Sequence, residues 1–110
     1  MLNLNISAKD ISLDEPLRMF VYQRIGGLEK YLRDMGEVSV DVQIGKSTKH
    51  HQSGPFMYAE ANMHIGGQLL RATCEHEDLR NAIVDVKEEL KAQIMKFKGK
   101  MEYRERKKQA

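Results

Sequence analysis

"MYAEANMHIGGQLLRATC", residues 57–74, decides the fold. Ala59, Ala61, Met63 and Ile65 alternate with Tyr58, Glu60, Asn62 and His64, the period of a strand with one covered and one wet face. Gly66-Gly67 supplies a tight two-residue turn, and "QLLRATC" returns with Leu70, Ala72 and Cys74 pointing inward. The two strands form a hairpin whose apolar face requires a second layer.

Working upstream, "VSVDVQI" (38–44) is another half-covered strand, with Val38, Val40, Val42 and Ile44 on one side and Ser39, Asp41 and Gln43 on the other. The polar stretch "GKSTKHHQSGP" joins it to the hairpin as a loop. "LNLNIS" (2–7) alternates Leu2, Leu4 and Ile6 with polar residues and reads as the first strand. Between these lies a helix with Asp14 or Ser12 as its N-cap and Glu15-Pro16 in its first turn. Leu17, Phe20, Val21, Ile25, Leu28 and Leu32 form its apolar face, interrupted only by the costly Gly26-Gly27 pair, which permits either close packing or local curvature. Downstream of the hairpin, a second helix begins near Asp78 and lines up Leu79, Ile83, Val86, Leu90, Ile94 and Phe97, with Met101 continuing the stripe. The expected class is α+β, in the order β-α-β-β-β-α. The four strands form one sheet, both helices pack on one of its faces, and the first crossover is right-handed.

With 110 residues, 41% hydrophobic and 31% charged, the chain has the balance of one small domain. No apolar run is long enough to span a bilayer and the N-terminus lacks a secretion signal, so a cytoplasmic location is expected. Cys74 is the only cysteine and reads as a small buried hydrophobe. The net charge of +2 is unevenly spread: seven basic against two acidic residues give +5 over residues 96–110, leaving −3 for the other 95. Residues 1–101 read as the folded domain, and 102–110, which has no apolar period, as a basic, disordered tail.

Catalytic signals are weak. His50 and His51 are adjacent in a loop and cannot alone complete a tetrahedral metal site. His64, His76 and Cys74 do not fall at a zinc spacing, and neither glycine pair is a phosphate loop. The reading expects no enzyme, cofactor, metal or small-molecule substrate.

Charge sidedness is more informative. At 100° per residue, Arg80, Lys87, Lys91 and Lys98 of the second helix fall within an arc of about 40° beside the apolar stripe, with Asp85, Glu88 and Glu89 on the opposite flank. In the first helix, Arg18 and Arg24 stand at the two borders of the apolar face, with Lys30 and Arg33 farther out. If the helices lie side by side, their basic borders form one ridge suited to RNA phosphates. No aromatic platform of the RRM type is present, which points to recognition of backbone and shape.

The sequence resembles the ribosome hibernation-promoting factor and ribosome-associated inhibitor family, linked also to sigma-factor modulation, in its short single-domain form. The resemblance runs over about residues 2–101. It rests on "LRMFVYQRIGGLEKY", "HIGGQLLRA", "EHEDLRNAI" and "LKAQIMKFKGK", with Gln93, Lys96, Lys98 and Lys100 at the family's spacing. It implies a protein, monomeric when free, that binds the small ribosomal subunit and its rRNA near the decoding centre. There it would occlude the mRNA and tRNA sites in stress or stationary phase. Arg18, Arg24, Lys96, Lys98 and Lys100 match basic positions of the family and inherit an RNA-contact role from it, whereas Arg80, Lys87 and Lys91 rest on the charge-face reading. Glu89 stands where many members carry a basic residue. The alternatives are a general double-stranded RNA-binding module, or a protein-interaction regulator using the polar sheet face.

Overall fold

A computed structural model describes residues 2–47 and 56–109; the loop carrying His50 and His51 lies outside the described residues. The elements are β1 (Leu2–Lys9), α1 (Glu15–Gly26), a 3-10 segment (Gly27–Tyr31), β2 (Val38–Ser47), β3 (Phe56–Ile65), β4 (Gln68–His76) and α2 (Leu79–Gln109). They follow the expected order.

The sheet runs β1-β2-β3-β4, with β1 and β2 parallel and the other neighbours antiparallel. Register brings the inward residues into rows across all four strands: Leu4, Val40, Met63 and Leu70 form one, and Ile6, Val42, Ala61 and Ala72 the next. A slip of one residue would turn each row to the opposite face, so the alternation itself holds the register. Gly66 and Gly67 have φ of 52° and 78°, the left-handed pair that a two-residue hairpin turn requires. Gly45 is required for a different reason. A Cβ there would stand 2.4 Å from the Lys9 carbonyl oxygen, and the Tyr58 ring already lies against it.

Both helices cover the same face. α1 packs on β1 and against α2, and α2 packs on β3 and β4, where the strands contribute the small Ala59, Ala61 and Ala72. Val21, Ile25, Leu28, Ile83, Val86, Leu90 and Ile94 are wholly buried between the layers. Burial of each large aliphatic contributes about 1.5–3 kcal/mol. Among the described residues the core holds no polar or charged side chain.

Asp14 is the N-cap of α1: its Oδ1 accepts the Leu17 N–H at 2.9 Å, and Pro16 sits in the first turn. The continuous helix expected through Leu32 stops at Gly26 and tightens into the 3-10 segment. A Cβ at Gly26 or Gly27 would meet nothing within 4 Å, so close packing is not what these glycines provide. They are poor α-helix formers at the point where the chain tightens, and Leu28 and Leu32 still reach the core.

At the other end, helical backbone continues beyond Met101 to Gln109. Loss of the apolar period is not a stop signal. "EYRERKK" contains neither glycine nor proline, and Glu102 and Arg106 sit at the favourable i,i+4 spacing. At 1.5 Å per residue α2 is about 46 Å long, against about 33 Å for a ten-residue strand. Its exposed end therefore overhangs the sheet and stretches the molecule to 57 Å.

Candidate nucleic-acid interface

The α1–α2 seam is organised by two aromatic rings. Phe20, half-buried at the border of α1, has the Arg24 guanidinium 5.1 Å from its centroid and the Arg80 guanidinium 5.4 Å away. Tyr31, at the end of the 3-10 segment, has the Lys30 and Lys91 ammonium groups 5.2 and 5.3 Å from its ring. Lys98 Nζ donates to the Tyr31 carbonyl at 3.0 Å and so satisfies a backbone acceptor at the end of a helical segment. Since Phe20 meets Arg80 while Tyr31 meets Lys91 and Lys98, the two helices run in the same direction. Their basic borders meet as one ridge.

The electrostatics follow from this clustering. Lys91, and after it Lys30, hold the Tyr31 phenol below its usual range. Lys87 pairs with Glu88 at 3.0 Å and draws that carboxyl below its ordinary value. Glu88 thus stands beside the basic arc instead of on the flank opposite it: sequence neighbours are 100° apart, a gap that lysine's long stem crosses. Among the described residues no carboxylate is ion-paired with Arg24, Arg80, Lys91 or Lys98. Each cation–π contact is worth about 0.5–1 kcal/mol at an exposed site, enough to bias a long side chain without neutralising it.

Of the eight candidate residues, Arg24, Arg80, Lys87, Lys91 and Lys98 come together at the seam. The other three do not. Arg18 lies about 120° from Arg24 around α1, while Lys96 and Lys100 lie on the other flank of α2, beside β4. Glu89 is on that side too, accepting the Gln93 amide at 3.2 Å, and the same amide donates to the Arg71 carbonyl at 2.7 Å. Sequence reasoning left out Phe20, Lys30 and Tyr31 as members of the site. The i,i+4 spacing of Phe20 and Arg24 was the available signal, and nothing local announces the approach of Arg80.

Elsewhere, the outer sheet face is largely self-satisfied: Tyr58 donates to Gln43 at 2.9 Å, Asn5 to Asp41 at 3.2 Å, and Arg71 pairs with Glu60. Cys74 is half-buried, and burial followed by the nearby Asp85 carboxylate pushes its thiol up, which disfavours the reactive thiolate. Among the described residues no group of three His, Cys, Asp or Glu side chains is placed to hold a metal, and no helix is long and apolar enough to cross a membrane.

Fold and site together define a small α+β domain in which two parallel helices present a shared cationic ridge. The chain belongs to the Sigma 54 modulation protein / S30EA ribosomal protein family, which it matches over residues 4–102. It is 30% identical over 100 residues to the ribosome hibernation promoting factor of Escherichia coli (strain K12), covering 91% of this chain and 97% of that protein. Over 101 residues it is 29% identical to the ribosome hibernation promotion factor of Lactococcus lactis subsp. cremoris (strain MG1363), covering 92% of this chain and 52% of that protein. Its fold is shared with the Thermus thermophilus Protein Y N-terminal domain, at a TM-score of 0.71 and 23% identity over 87% of this chain and 97% of that one. It is shared also with a ribosomal subunit interface protein from Coxiella burnetii, at 0.69 and 14% over 90% and 99%.

Proposed function

We propose that this protein is a ribosome hibernation factor that binds rRNA of the small subunit through the α1–α2 seam. Bound near the decoding centre, it occupies the path of mRNA and tRNA and inhibits initiation by occlusion, with no chemical step. Family membership supports the ribosome as target. The observation that carries the choice of surface is the placement of Arg24 and Arg80 on Phe20 and of Lys30 and Lys91 on Tyr31. Cations ordered before binding lose less side-chain freedom when phosphates arrive, and they release condensed counterions from the RNA. A guanidinium lying on a ring still offers its N–H edge to a phosphate. Arg18, Lys96 and Lys100 lie off the seam, and this reading does not require them.

Sucrose-gradient sedimentation with purified small subunits tests it. The wild-type protein is expected to co-sediment, to dissociate as salt rises and to compete with tRNA. The Arg24→Glu/Arg80→Glu double variant should lose at least tenfold in affinity and show a shallower salt dependence, because fewer phosphates are neutralised. Unchanged affinity in that variant would refute the seam as the binding surface. Equal affinity for the subunit and for an arbitrary RNA duplex would favour a general double-stranded RNA-binding module instead.

A further inference from the structure

Lys96, Lys100 and Arg104 repeat every four residues along α2, a rise of about 6 Å from one to the next, and all three are exposed. Toward β4 this row borders an apolar recess of about 310 Å³ floored by Leu70, Phe97 and Met101. On its other side it borders a second recess, of about 520 Å³, completed by Gly99 and Tyr103. Tyr103 is 61% exposed. Among the described residues none that is acidic lines this second recess, because rotation about the axis carries Glu102 and Glu105 off the face.

Gly99 is the unusual member. Glycine is among the poorest helix formers, and here it sits inside a helix where a Cβ would meet nothing within 4 Å, so packing does not call for it. Its effect is to leave a gap in the row of side chains. Tyr103 stands one turn later on the same face, and because helical side chains tilt toward the N-terminus its ring leans over that gap. An exposed ring face with open space before it and three cations along one edge suits a nucleotide: the base stacks on the ring while the phosphates of its strand follow the cations. An acidic protein segment would use the cations but leave the ring face wet.

We propose that the recess at Gly99 and Tyr103 is a slot for one unpaired RNA nucleotide, whose base stacks on Tyr103 over Gly99 while Lys96, Lys100 and Arg104 hold the adjoining phosphates. The slot rests on the reading of rRNA as the target and adds to it. Lys96 and Lys100 bring an RNA-contact role by resemblance, whereas Tyr103 and Arg104 lie beyond residue 102, where the family match ends. Every base has a π face, so the slot requires an unpaired nucleotide without specifying its sequence. α2 then grips RNA at two places, by charge at the seam and by a stacked base near its exposed end.

The chain contains no tryptophan, so Tyr103→Trp places a single tryptophan reporter in the slot. The full chain is titrated at physiological ionic strength with a single-stranded RNA of about ten nucleotides and with an abasic strand of the same length and charge. The intact strand is expected to quench the reporter and the abasic strand to leave it unchanged. By anisotropy of the labelled strands, Tyr103→Ala should lose fivefold or more in affinity for the intact strand and less than twofold for the abasic one, whereas Tyr103→Phe should bind like the wild type. Gly99→Leu raises helix propensity but fills the gap, and it should lose as much as Tyr103→Ala. No binding of the intact strand, equal quenching by both strands, or equal affinity of wild type and Tyr103→Ala for the intact strand would each overturn the slot. At saturation in the Arg24→Glu/Arg80→Glu background the quenching should persist, and its loss there would make it a property of the seam. Since the reporter is read without ribosomes, failure of the seam in sedimentation and failure of the slot are separate outcomes.

Discussion

α2 carries basic residues on both flanks, and the two flanks are not equivalent. On the seam flank, Lys91 and Lys98 are half-buried, one against the Tyr31 ring and the other on its carbonyl, and Arg80 lies on Phe20. On the β4 flank, Lys96 and Lys100 are exposed at the rim of the apolar recess. Both sides carry lysine and arginine, and each has a carboxylate close by, Glu88 paired with Lys87 near the seam and Glu89 on the β4 side. What differs is the neighbour, an aromatic-lined helix border on one side and the open edge of a sheet on the other. Charge counts along a helix therefore say less about how each cation is held than the element packed beside it does.

The harshest way to break the comparison is to remove the common support of both flanks. Leu90 is wholly buried midway along α2, and Leu90→Ala is expected to cost about 2–5 kcal/mol through lost burial and a residual cavity. Chemical denaturation should show a lowered midpoint. A loss below 1 kcal/mol would mean that the helix does not dock as described. A gentler change separates the flanks: Phe20→Leu keeps an apolar side chain at the border of α1 but removes the ring under Arg24 and Arg80. Subunit affinity should fall by about fivefold to thirtyfold, the equivalent of two contacts of about 0.5–1 kcal/mol each, while the denaturation midpoint stays close to that of the wild type. If the midpoint falls along with the affinity, Phe20 acts through folding and not through the seam.

The reasons some of this was legible in the sequence and some was not are physical. Alternation and a double-glycine turn are local signals, so the hairpin, its register and the inward rows were readable. The 40° arc of Arg80, Lys87, Lys91 and Lys98 was readable too, because helical geometry converts spacing into direction. The convergence of Arg24 and Arg80 on Phe20 was not, since those arginines are 56 positions apart and nothing local sets the distance between their helices. Lys96 and Lys100 are grouped with Lys98 by the resemblance, which matches basic positions along the chain, whereas rotation about the axis carries them to another flank. The end of α2 was misplaced because an apolar stripe reports packing, whereas helical backbone ends where capping or breaking residues end it.

The smallest effect expected is spectroscopic, and it tests the seam without any RNA. The chain has four tyrosines. Lys91 and Lys30 hold Tyr31 below the usual phenol range, whereas burial and the Glu60 and Asp10 carboxylates push Tyr58 above it. In an alkaline titration followed by tyrosinate absorbance, Tyr31 should ionise before Tyr58. A depressed phenol pKa begins to favour the folded state as pH rises through the lowered value and does so fully above the ordinary one, with nothing gained at neutral pH, so Lys91→Met should leave neutral stability almost unchanged while moving Tyr31 upward. Lys100→Met, an equal loss of charge on the other flank, should leave Tyr31 where it is. If the two variants shift Tyr31 alike, the ring responds to the overall charge of the helix, and Lys91 does not rest on Tyr31 in solution.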